Sequence, residues 1–119
     1  MFGINYHKLI KKSFVFLKKL GFEYEEYQKG PDLEIVYSYQ DVIIEISYYY
    51  GVDGNYKRGY FLDVIISKKG FMENLLKSIN FFGQEKILEL SNALNSANMK
   101  NKISLYAQFI MNNILLLLE

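Results

Sequence analysis

The chain has 119 residues, half of them hydrophobic and 17% aromatic, with one proline and 23% charged residues. That length and apolarity exclude a disordered polymer and predict one α+β domain, residues 1–119, around one core. A formal charge of +1 excludes a chain-wide field for nucleic acid or an anionic membrane, and the absence of cysteine excludes disulfides, thiolate nucleophiles and cysteine-ligated metals.

The opening MFGINYHKLIKK has no apolar stretch of signal-peptide length, so secretion is not expected and a cytoplasmic location is. Tyr6, Leu9, Ile10, Phe14, Leu17 and Leu20 then recur at helical spacing, with Asn5 placed to cap the start and Gly21 to end the helix. The opposite side carries Lys8, Lys11, Lys12, Lys18 and Lys19, so the predicted helix lays its apolar side on a sheet and leaves a basic side in water. His7 reads as a solvated or capping residue.

From Phe22 the period changes to two. Strands are predicted over residues 22–27, 33–39, 42–50 and 60–67, separated by Gly30-Pro31, by Gln40-Asp41 and by a loop over residues 51–59, which makes a four-stranded antiparallel meander. After Lys69-Gly70 helical spacing returns in Phe71, Met72, Leu75, Leu76 and Ile79, then in Ile87, Leu88, Leu90 and Leu94. A last helix carries Ile103, Tyr106, Ala107, Ile110, Ile114 and Leu117 after a break among Asn95, Ser96 and Asn98, for two to three C-terminal helices in all. The apolar run at residues 114–118 falls far short of the roughly 20 residues a membrane span needs, so no membrane partner is expected.

Alternate strand residues point to opposite faces of a sheet. One face collects Phe22, Tyr24, Leu33, Ile35, Tyr37, Tyr39, Val42, Ile44, Ile46, Tyr48, Tyr50, Tyr60, Leu62, Val64 and Ile66, and is the expected core side. The other collects Glu23, Glu25, Glu34, Glu45 and Asp63 with Tyr27, Tyr49 and Phe61, and no lysine or arginine. Two outcomes follow for this second face. Either the C-terminal helices cover its Val36, Ile43, Phe61 and Ile65, or it is open, and those eight acidic and aromatic residues form a partner-binding surface for a basic protein. Its apolar residues fit a homodimer contact equally well.

Catalytic signals are missing: one histidine and no cysteine leave no nucleophile, base and acid set, and no metal motif such as H-E-x-x-H occurs. No cofactor or metal is therefore implied. Glu45 and Asp63 around a divalent ion remain the enzyme alternative. A second alternative is a small-molecule or nucleic-acid module built on the tyrosine-rich hairpin, with Tyr48, Tyr50, Asp53, Tyr56 and Tyr60 as its patch. Only Lys57 and Arg58 interleave with these aromatics, which argues against nucleic acid.

The segments FVFLKKLGFEYEE, LEIVYSYQDVIIEISYYY, YFLDVII and ISLYAQFIMNNILLLL together resemble small bacterial immunity proteins of polymorphic toxin systems. The likeness lies in alternation and helix spacing. It implies a bacterial antitoxin-like protein, non-enzymatic, that binds a cognate toxin domain, often a basic nuclease, and neutralises it. No family residue carries over, because no motif matches.

Overall fold

The computed structural model describes residues 6–52 and 54–119. The first predicted helix is two helices, α1 (His7–Ser13) and α2 (Phe16–Lys19). The α-helical ladder breaks at Val15, whose N–H turns to the Lys12 carbonyl at 3.4 Å, a tighter bond of the 3₁₀ type. Gly21, at φ +103°, ends the segment in a conformation only glycine adopts easily. Asn5 lies outside the described residues.

Five strands, not four, follow: β1 (Glu23–Lys29), β2 (Asp32–Tyr39), β3 (Val42–Val52), β4 (Arg58–Lys68) and β5 (Phe71–Asn74). They form one antiparallel sheet in sequence order. Gly30, at φ +59° and followed by Pro31, closes the β1–β2 hairpin, as turn chemistry predicts. The strands β3 and β4 run further than expected, taking Val52, Arg58 and Gly59 into the ladder and shortening their connection to residues 53–57.

The fifth strand corrects the helical reading of Phe71 and Met72. Lys69 and Gly70 both have positive φ, +53° and +83°, so the chain makes a two-residue hairpin of type I′ geometry and pairs Lys68 with Phe71. Both side chains of the misread pair are exposed, Phe71 at 63% and Met72 at 64%, so their apolar spacing has no core behind it.

A 3₁₀ turn at Leu75–Lys77 then leads to α3 (Ile79–Phe82), α4 (Gln84–Asn95) and α5 (Met99–Leu118). The break before α5 falls where expected, and the Asn98 side chain caps the helix by accepting from the Asn101 N–H at 2.9 Å. At the other end of α5, Lys68 of β4 donates to the Glu119 carbonyl at 2.7 Å. The end of the strand is thereby tied to the end of the helix.

All the helices lie on one face of the sheet. Ile10, Phe14 and Leu17 from the N-terminal helices meet Ile35, Tyr37, Ile44, Ile46, Val64 and Ile66 from the strands and Ile103, Ile110 and Leu117 from α5 in one cluster. Tyr24, Tyr50 and Tyr60 depart from the expected core side. They share its face by register, but the helices cover them only in part and they are 44–49% exposed. Leu88 and Ile79, apolar in the helical pattern, are also exposed. Among the described residues, no helix is long and apolar enough to cross a membrane.

Candidate binding face

The second sheet face is open. None of its side chains from Glu23 to Ser67 is buried, and Val36, Ile43, Phe61 and Ile65, which a covering helix would hide, are all at least partly accessible. Strand register arranges what the face presents. Across one row run Glu25, Val36, Glu45 and Ile65; across the next run Tyr27, Glu34, Ser47 and Asp63.

Glu25, Glu34, Glu45 and Asp63 thus occupy alternating rows on successive strands, and they trace a zigzag stripe from β1 to β4. Three interstrand steps make it about 14 Å long. No two of its carboxylates stand directly opposite each other, so the destabilising like-charge pair is avoided while the charge stays continuous. Glu23 stands at the next corner beside Ser38.

Tyrosines hold the two ends of the stripe. Tyr27 donates its hydroxyl to Glu25 in the same strand, and Tyr49 donates to Asp63 at 2.7 Å. In each case the hydrogen bond to the carboxylate is the main reason that the phenol ionises above its ordinary value, so both stay neutral donors. The middle carboxylates, Glu34 and Glu45, have no hydrogen-bond or ion-pair partner among the described residues. Tyr49 stacks on Phe61 at 5.6 Å between ring centroids. A depression of about 300 Å³ opens beside the stripe, between Tyr27, Glu34, Ser47 and Tyr49.

The longer β1 and β2 add two residues to this face that the strand pattern missed, Lys29 and Asp32, which pair at its rim. Lysine therefore touches the face at one corner. The basic side of the N-terminal helices lies on the other side of the sheet. There Lys11 bridges Glu26 at 2.7 Å, and Lys18 stands 3.5 Å from the centre of the Tyr24 ring. These contacts draw the lysines against the inner side of β1, leaving the outer side acidic.

The other expected sites separate. Glu45 and Asp63 sit on diagonal positions of adjacent strands, and the described residues hold no group of three or more side chains placed to bind a metal ion. Of the tyrosine patch, Tyr48, Tyr50 and Tyr60 come together, with Tyr60 stacked on Tyr48 at 5.1 Å and edge-on to Tyr50 at 5.0 Å. Tyr56 stands away from them, 89% exposed at φ +61°, and Asp53 lies outside the described residues.

His7 is neither solvated nor a cap. It is buried, its Nε2 donates to the Pro31 carbonyl at 2.8 Å, and its ring stands edge-on to Tyr48. No protein-family model, curated protein or solved structure matches the chain.

Proposed function

We propose that this chain is a non-enzymatic, cytoplasmic binding protein whose open sheet face receives a basic protein, in the manner of a bacterial immunity protein neutralising a cognate toxin domain. The observation that carries the reading is the zigzag of Glu25, Glu34, Glu45 and Asp63, uncovered and flanked by Tyr27, Tyr49 and Phe61. A row of carboxylates about 14 Å long matches lysines or arginines spaced along one side of a partner helix or strand. The aromatics beside it supply rigid contact area, and the charges supply orientation and association rate.

The same charge weighs against other occupants. A second copy would set carboxylate against carboxylate across the interface, and a nucleic acid would bring phosphates to it. Neutralising a toxin by this route needs no chemistry from the chain. The partner's active site is blocked by the bulk of the sheet once its basic surface is engaged.

The test screens the products of the genes adjacent to this one for a basic toxin domain that binds the chain. Tight binding that weakens with salt, protection of cells expressing the toxin, and loss of both in Glu34→Lys/Glu45→Lys would support the reading. Neither charge has a partner within the described residues, so the reversal leaves the fold in place, which a melting curve verifies. Absence of binding together with absence of protection would reject it.

A further inference from the structure

At the opposite side of the sheet, a cleft of about 420 Å³ opens between the start of α1, the adjoining ends of β3 and β4, and the start of α5. Tyr6, Tyr48, Tyr60, Met99 and Lys102 form its main walls. Tyr48 and Tyr60 stack with their planes 5° apart, and Tyr6 stands edge-on to Tyr48 at 6.2 Å.

Two polar groups at this cleft have no hydrogen-bond or ion-pair partner among the described residues. Tyr48 is only 3% exposed, yet its hydroxyl makes no hydrogen bond to any described residue. The hydroxyl oxygen is not enclosed, because the one buried side-chain polar atom without a partner among the described residues is Glu73 Oε2, so the phenol tip reaches solvent and its O–H is available to an acceptor entering the cleft. Burial, and then the neighbouring phenols of Tyr60 and Tyr6, push its ionisation up to about 12, which keeps the proton in place. Lys102, half-buried on α5, has no carboxylate partner among the described residues, and none of the described residues lining the cleft carries a carboxylate.

We infer that this cleft binds a small planar aromatic anion, its ring against the Tyr48–Tyr60 stack and its carboxylate or phosphate at Lys102 and the Tyr48 hydroxyl. The chemistry follows from the walls. Stacked phenols present π faces that favour another ring, the ammonium selects negative charge, and the phenol O–H donates to an anionic oxygen in a charge-assisted bond. The site lies apart from the acidic face and uses none of its residues, so it stands whether or not that face binds a toxin.

Calorimetric titration of the intact chain tests it, with benzoate as the carboxylate probe and adenosine monophosphate as the phosphate probe. Cyclohexanecarboxylate, which lacks the ring, and adenosine, which lacks the charge, are the controls. Saturable binding of either probe is expected, at least about tenfold tighter than its control, a difference of ~1.4 kcal/mol. Lys102→Met and Tyr48→Phe should each weaken it about tenfold with the melting temperature held, since the first removes an unpaired charge and the second keeps the ring. Tyr60→Leu, at a half-exposed position, should weaken it as well. Binding of one probe assigns the anion class. No saturable heat from either at millimolar concentration, or affinity unchanged in Lys102→Met and Tyr48→Phe, overturns the inference.

Discussion

Tyr49 and Asp63 meet across two strands: the phenol on β3 donates at 2.7 Å to the carboxylate on β4, on the outer face and one row away. The bond holds one end of the acidic stripe and keeps the Tyr49 phenol protonated beyond its ordinary range. Tyr49→Phe removes that donor but keeps the ring on Phe61. A loss of about 0.5–1.5 kcal/mol is expected, read as a lower urea midpoint with unchanged slope. An unchanged midpoint would mean that water replaces the bond without loss.

Three phenols connect stability to alkaline pH. Burial pushes Tyr37, Tyr48 and Tyr106 up to about 12, from 10.0 in the absence of the fold. Above about pH 10 the unfolded chain gives up these protons while the folded chain retains them, so the unfolded state binds fewer protons and stability falls as pH rises. The contribution is complete below about pH 10 and lost as pH climbs towards 12. Urea midpoints at about pH 8 and about pH 11 should differ in that direction, with phenolate absorbance showing a late-titrating group. A flat pH profile would contradict the burial of these side chains.

Phe14 is fully buried between the N-terminal helices and the sheet, whereas Leu115 on α5 is 72% exposed. Phe14→Ala should cost about 3–5 kcal/mol through lost transfer energy and the cavity left behind. Leu115→Ala should fall within about 0.5 kcal/mol of the parent. Equal losses in denaturant unfolding would place the core elsewhere.

Gly70 sets the last hairpin. A methyl group there would meet no atom within 4 Å, so at φ +83° the objection to a side chain is conformational and not steric crowding. Gly70→Ala is expected to destabilise by about 1 kcal/mol, and hydrogen exchange at β5 should quicken more than at β3. A stabilising Gly70→Ala would show that the turn does not have the positive φ described here.

The membership of the two sheet faces was readable because side-chain direction alternates with every residue, and Leu33, Ile35, Ile44, Ile46, Val64 and Ile66 duly lie in the core. The fifth strand was not readable from spacing, since Phe71, Met72, Leu75 and Ile79 suit a helix as well. The left-handed pair Lys69-Gly70 overrode that pattern. The burial of His7 was hidden for a similar reason: its partner Pro31 is 24 residues away, in a turn that only the packed sheet brings to α1.

The sequence by itself determined which strand residues share a face, where the last helix begins and which of its residues form the apolar stripe. Each of these depends on local backbone geometry and repeats with the period of the element. Tertiary structure alone decided that all helices choose one side, that register sets Glu25, Glu34, Glu45 and Asp63 into one stripe, and that Tyr6 and Lys102 join Tyr48 and Tyr60 around one cleft. Those are relations between segments far apart in the chain, and they arise only when burying the apolar side of each element against the others fixes layer and register together.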